Sequence, residues 1–187
     1  MMKDRVVIFG GSNVDIIGES KKKINLSDAN SGKIKTTYGG AGRNIAVNLA
    51  LLDNDVTFFT GIGNDYLGSL MLKNLSDLGI KVLYPKPKTS SSLYMAINDG
   101  KGELFTSIYD SRAIDCLSLP FIRKDEFEIR EREYLVMDSN LPNKLIGDLF
   151  HVFRIRNGVL NAYLLMRLLN FQSTCIQFGC LKEISTN

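Results

Sequence analysis

Tyr38-Gly39-Gly40-Ala41-Gly42-Arg43-Asn44, running directly into Ile45-Ala46-Val47-Asn48-Leu49-Ala50-Leu51-Leu52, is the stretch on which the fold turns. Three glycines in four positions cost too much backbone entropy for a helix interior or a sheet centre. They read as a loop that bends tightly or lets a ligand reach the backbone. Ile45, Leu49 and Leu52 then recur on one face at helical spacing. The glycine loop therefore sits at a helix N-terminus, where unpaired N–H groups and the macrodipole favour oxygen-rich ligands.

Upstream, Val6-Val7-Ile8-Phe9 is a short apolar run closed by Gly10-Gly11, the pattern of a central strand in a parallel sheet covered on both faces. Ligands of such sheets gather at the carboxyl ends of strands, and Asn13 and Asp15 lie just past that end. From the residues alone Asp15 is a turn-former or a ligand acceptor. Residues 16–37 form a polar excursion with a lysine run, Lys21-Lys22-Lys23, that reads as a solvated loop or edge protection.

Downstream, Asp53-Asn54-Asp55 reads as a turn and Val56-Thr57-Phe58-Phe59-Thr60 as a strand. Gly61-Ile62-Gly63-Asn64 leads to a second helix, with Asp65 as N-cap, Leu67, Met71, Leu75 and Leu78 as its apolar stripe and Gly79 as its stop. Strand, glycine loop, helix, glycine, strand is the repeating unit of a layered α/β fold. After Pro85 and Pro87, residues 93–97 and 103–108 flank Asn98-Asp99-Gly100-Lys101-Gly102 as a β-hairpin. Tyr94 on this hairpin is placed to stack on a base or sugar, or simply to pack. Residues 125–133 read as a solvated helical face. Tyr134-Leu135-Val136-Met137 is another buried strand, and Asn140 beyond it is a turn residue or a ligand contact.

Composition narrows the function classes. The 187 residues suffice for one sizeable core, and 44% hydrophobic with 23% charged residues is ordinary for a soluble domain. The net charge of +3 comes wholly from the tail: residues 151–187 hold 4 Lys+Arg and 1 Asp+Glu, whereas residues 1–150 balance at 19 each. A neutral body argues against nucleic acid as a partner. The short apolar start is no signal peptide, so a cytoplasmic location is expected. Three cysteines and one histidine match no disulfide framework or zinc set, so no metal ligands are expected from the protein. Neither Gly40-x-Gly42 nor Gly61-x-Gly63 has the third glycine of a dinucleotide fingerprint, since positions 45 and 66 are Ile and Tyr.

Gly39-Gly40-Ala41-Gly42-Arg43-Asn44, with Gly61 to Gly68 beyond the helix and Phe9-Gly10-Gly11-Ser12-Asn13-Val14-Asp15 upstream, resembles the N-terminal signature of the PfkB/ribokinase family of sugar and nucleoside kinases. With Asp138-x-Asn140-Leu141-Pro142 it is most similar to the pseudouridine kinase branch. The resemblance covers roughly the first 146 residues. It implies a ribokinase-like layered α/β sheet with a small β lid, built from segments about 16–37 and 90–109. It also implies ATP-dependent transfer of the γ-phosphate, with Mg²⁺, to a sugar or nucleoside hydroxyl. Asn13, Asp15, Gly39, Gly40 and Asn44 would hold the acceptor, with Asn140 and Tyr94 as further contacts. Arg43 would meet a phosphate or make a surface salt bridge. A lid edge is a candidate for pairing with a second copy.

Past residue 150 the pattern stops. No Gly-Ala-Gly-Asp motif follows, and after Asp148 there is no aspartate to serve as catalytic base. Losing that phosphate cradle removes most of a phosphoryl-transfer apparatus. The tail Val159–Phe171 is apolar nearly all round, yet Asn161, Arg167 and Asn170 interrupt it too often for a membrane span of about 20 residues. The expectation is an N-terminal kinase portion over residues 1–150 and a divergent tail over 151–187, from a truncated or frame-shifted gene. The alternative function is an inactive family member that retains at most sugar binding.

Overall fold

β1 (Arg5–Phe9) is the axis of the molecule, because its side chains alternate between two separate cores. Val6 and Ile8 face one with Ala46, Phe58, Met71 and Leu75. Val7 and Phe9 face the other with Phe59, Leu135, Met137, Leu145 and Leu149. Only a strand covered on both faces has that pattern, and burial of each large side chain contributes roughly 1.5–3 kcal/mol. The computed structural model describes residues 5–86, 88–124, 134–156, 162–166 and 174–177.

Beside β1 lie β2 (Asn13–Ser20), β3 (Gly32–Gly39), α1 (Ala41–Leu51), β4 (Asp55–Phe59), α2 (Tyr66–Asp77) and β5 (Lys81–Leu83) in chain order. They are followed by β6 (Leu93–Asn98), β7 (Leu104–Asp110), α3 (Leu119–Lys124), β8 (Tyr134–Asp138), α4 (Asn143–Arg156), β9 (Ala162–Met166) and β10 (Thr174–Gln177). The main sheet has the order β10-β9-β8-β1-β4-β5. All its neighbours are parallel except β9 and β10. Phe9 and Phe59 stack across the β1–β4 pair with ring centroids 4.7 Å apart. A second sheet, β3-β2-β6-β7, rises from the carboxyl end of β1, and Val14, Tyr38 and Leu93 at its base pack into the α1–α2 core.

The elements follow local chemistry. The Asp65 carboxylate caps α2 by accepting from Gly68 N–H at 2.8 Å, and Gly79 ends the helix at φ +73°. Met71 and Leu75 of the expected stripe are buried, with Leu67 and Leu78 packed beside them. Asp99 closes the β6–β7 turn by accepting from the N–H groups of Lys101 and Glu103.

Two expectations need correction. The glycine stretch is not a loop: Gly39 ends β3, Gly40 alone makes the turn, and α1 begins at Ala41. Leu52, assigned to the buried face of that helix, is 74% exposed, and the buried positions are Gly42 and Ala46. Small residues are needed there because α1 lies close against the end of β1. Within the apolar tail, Ala162–Met166 is a strand of the main sheet, parallel to β8. The charge-dense stretch at 125–133 lies outside the described residues. Among the described residues no helix is long and apolar enough to cross a membrane.

Candidate acceptor-binding site

Asp15 sits at the root of the second sheet, where β2 leaves the carboxyl end of β1. Its β3 neighbour in register is Thr37 and its β6 neighbour is Tyr94. Tyr94 pairs in turn with Tyr109 on β7. In-register neighbours share a face, so Thr37, Asp15, Tyr94 and Tyr109 form one row across the sheet. The two tyrosine rings meet edge to face, with centroids 6.3 Å apart. That row carries hydroxyls, a carboxylate and two aromatic rings on one face of the sheet.

The carboxylate is held by two neighbours. The Asn13 side-chain amide donates to Asp15 Oδ1. On the other side the carboxylate lies against bare backbone: a Cβ at Gly39 would stand 2.3 Å from Asp15 Oδ2 and 2.8 Å from Cγ. Glycine at 39 is therefore required by the aspartate, not by its own backbone angles. Burial pushes the Asp15 carboxyl above its ordinary value, opposed by the Asn13 hydrogen bond. Among the described residues no cation pairs with it. A half-buried, acceptor-only group without a counter-ion is suited to adjacent hydroxyl donors.

Gly40 and Gly42 serve a different purpose. Gly40 has φ +100°, and a Cβ there would lie 2.6 Å from Gly11 O. A Cβ at Gly42 would lie 2.7 Å from Gly10 Cα. The exit of β1 and the start of α1 thus press backbone against backbone. Asp138, at the end of β8 and 1% exposed, locks this junction. Its Oδ2 accepts from Gly11 N–H and Gly42 N–H, each at 3.1 Å. Its Oδ1 accepts from the Asn140 N–H at 3.0 Å and side-chain amide at 2.7 Å. The carboxylate caps α1 from across the fold, since the N-cap residue itself is glycine.

This closes the helix N-terminus that the sequence left open. Gly42 N–H goes to Asp138, Arg43 N–H to Gly11 O at 3.1 Å and Asn44 N–H to Gly40 O at 2.9 Å. Asn140 is exposed and acts here as a donor to Asp138. Arg43 turns along α1 to α2, donating to Asn74 Oδ1 at 2.7 Å and to Asn44 Oδ1 at 3.2 Å, with its guanidinium 5.7 Å from the Tyr38 ring centre. No carboxylate pairs with it among the described residues, so the surface salt bridge is absent there. Asp138 was missed in the sequence because its partners lie 96 and 127 residues away. The available signal was a charged residue closing a buried apolar run.

A second carboxylate braces the approach to β6. Asp65 accepts from Ser91 N–H and Ser91 Oγ, both at 2.7 Å, while Gly63 N–H donates to Ser91 Oγ at 3.1 Å. Burial pushes the Asp65 carboxyl up, but the Ser91 and Gly68 donors outweigh it and hold the group below the usual range. That stabilisation is complete above the ordinary carboxylate pKa and lost as pH falls through the lowered value. Ser91→Ala is expected to cost about 1–3 kcal/mol in urea unfolding, and to shift the onset of acid unfolding to higher pH.

The sequence matches the profile described as "pfkB family carbohydrate kinase" over residues 3–165. The chain belongs to the pfkB family. The family match runs past residue 146, where the motif resemblance stops, and into β9. A pseudouridine kinase of Escherichia coli (strain K12) is 34% identical over 149 residues, covering 78% of this chain and 47% of that protein. A putative sugar kinase from Clostridium perfringens is 28% identical with a TM-score of 0.72, covering 90% of this chain and 52% of that one. Arabidopsis thaliana ribokinase, solved with ribose and ATP, shares the fold at a TM-score of 0.72 and 17% identity, covering 91% and 55%. The chain spans about half the length of the relatives it matches.

Among the described residues no three His, Cys, Asp or Glu side chains gather into a metal-binding group; Mg²⁺ at phosphoryl-transfer sites is held by one or two carboxylates together with the nucleotide's own phosphates. The one glycine-flanked helix N-terminus at the site already has its N–H groups from Gly42 to Asn44 hydrogen-bonded within the chain.

Proposed function

We propose that this chain carries the acceptor-binding half of an ATP-dependent nucleoside or sugar kinase, with pseudouridine as the first candidate acceptor. The observation that carries this reading is the Asp15 carboxylate, folded onto Gly39 and steadied by Asn13. Two adjacent sugar hydroxyls would donate to its two oxygens, and Tyr94 would lie beside the sugar or base. Gly40 and Asn44 contribute through the β3–α1 junction, and Asn140 through Asp138. The 34% identity to a pseudouridine kinase supports the nucleoside choice. No transfer step is assigned to ATP and Mg²⁺.

The test is calorimetric binding of pseudouridine, uridine and ribose to the purified chain, beside ATP-dependent phosphorylation of each. Saturable binding of at least one acceptor, with no turnover, is the expected result. Binding of none would overturn the reading. Turnover would keep the acceptor site and overturn only the confinement to one half.

The second sheet, read as the lid, also supports a partner. Its face opposite the Asp15 row shows Ile34 78% and Ile108 74% exposed beside Met95 and Ile97. A monomer rarely leaves so much aliphatic surface in water, and pairing of two copies through the lid would cover it. Ile108→Lys is expected to turn a dimer into a monomer in sedimentation equilibrium; an unchanged mass would refute the pairing.

A further inference from the structure

The row through Asp15 changes character along its length. Thr37 and Asp15 at one end carry a hydroxyl and a carboxylate, whereas Tyr94 and Tyr109 at the other end are aromatic. The two rings meet at 63° with centroids 6.3 Å apart, an edge-to-face contact in which each ring steadies the other. Further along the same face the strands carry small residues, Ala96 after Tyr94 and Ser107 before Tyr109, so no bulky side chain crowds the rings from that side. Tyr109 is 52% exposed. Cross-strand packing alone explains why the rings touch. It does not explain why they stand in register with a half-buried carboxylate that has no cation among the described residues.

Spacing decides which ligand fits. Neighbouring strands lie about 4.8 Å apart, so Tyr94 is one strand from Asp15 and Tyr109, beyond β6, is about 10 Å away. A monosaccharide held on Asp15 through two hydroxyls reaches Tyr94 only. A planar base on its anomeric carbon reaches Tyr109, and it brings the flat apolar face that an aromatic pair covers and a polyol lacks. We propose that Tyr109 is a specificity-determining residue, which with Tyr94 forms a subsite for the aromatic base of a nucleoside and so selects nucleosides over free sugars. The proposal rests on the acceptor reading of Asp15 and adds to it the residue that sets the acceptor class.

The experiment measures by calorimetry the affinity of the full chain for pseudouridine, for its 5,6-dihydro derivative, whose base is neither planar nor aromatic, and for ribose. Pseudouridine is expected to bind about tenfold or more tighter than either of the others, as one stacked base provides. Tyr109→Leu is expected to remove most of that advantage and to leave ribose affinity unchanged. Its far-UV circular dichroism should match the parent's, because the side chain is exposed. Tyr109→Phe keeps the ring and should bind all three ligands as the parent does; loss of selectivity in it would overturn stacking as the cause. Asp15→Asn should instead weaken pseudouridine and ribose alike, so the two residues differ in their pattern of loss. Equal affinity of the parent for pseudouridine and its dihydro derivative, a comparison that needs no variant, would overturn the base subsite and leave the Asp15 reading standing. A Tyr109→Leu chain that keeps its selectivity, or loses pseudouridine and ribose equally, would do the same. Binding of none of the three would overturn both.

Discussion

Asp15→Asn is expected to weaken pseudouridine binding about 100-fold or more while the chain stays folded. The carboxylate would accept two hydroxyl donors, each charge-assisted bond contributing about 1.5–3 kcal/mol, and asparagine keeps only one acceptor oxygen. The same change should not destabilise the fold. Burial raises the Asp15 pKa, so ionising it costs the folded state more than the unfolded one. That cost is absent below the ordinary carboxylate pKa and complete above the raised one. At neutral pH the urea midpoint of Asp15→Asn should therefore equal or exceed that of the parent. Gly39→Ala supplies an independent route to the same loss: its Cβ would occupy the space of Asp15 Oδ2, and alanine can adopt the backbone angles there because Gly39 is not among the positive-φ residues. Binding should fall comparably, with only a small change in stability. Tight binding by either variant would show that the carboxylate is not the acceptor-binding group.

Asp138→Ala should have the largest effect on stability, about 3–5 kcal/mol by urea unfolding. It strands the buried backbone N–H of Gly42 and the half-buried one of Gly11, and frees the Asn140 turn. It also removes the only side-chain carboxylate hydrogen-bonded to the start of α1 among the described residues. Asp138→Asn keeps the volume but replaces one acceptor oxygen with a donor, so it should recover only part of the loss. Against a total stability of about 5–15 kcal/mol, the alanine variant would be close to unfolding. A loss below about 1 kcal/mol would show that the β1–α1 junction is held by packing alone.

Local chemistry was readable in the sequence, and long-range polar contacts were not. The buried runs at 6–9 and 134–137, the Asp65 cap, the Gly79 stop and the 93–108 hairpin each depend on neighbours within a few residues, and all are in the structure. The glycine stretch marked the β3–α1 junction but for a mistaken reason. Gly39 makes room for a side chain, Gly42 for the backbone of Gly10, and only Gly40 is a conformational glycine. Composition cannot distinguish these three uses, because each depends on what approaches from another part of the chain. Asp138 is the same case: a single aspartate at a strand end carries no local sign that it will bind segments from β1 and α1. Leu52 failed for another reason, since helical period alone does not say where the helix stops facing the core.

The most direct test of the acceptor site is pseudouridine affinity against pH, measured by calorimetry from pH 8 down to the onset of acid unfolding. Hydroxyl donors need the ionised carboxylate, so affinity should be full at neutral pH and fall as pH drops through the raised pKa of Asp15, above its ordinary 3.8. Circular dichroism at each pH separates loss of binding from loss of the fold. Loss of binding by a still-folded chain, with the midpoint above 3.8, is the predicted result. Affinity that stays constant until the chain unfolds would contradict the assignment of Asp15 as the acceptor-binding group.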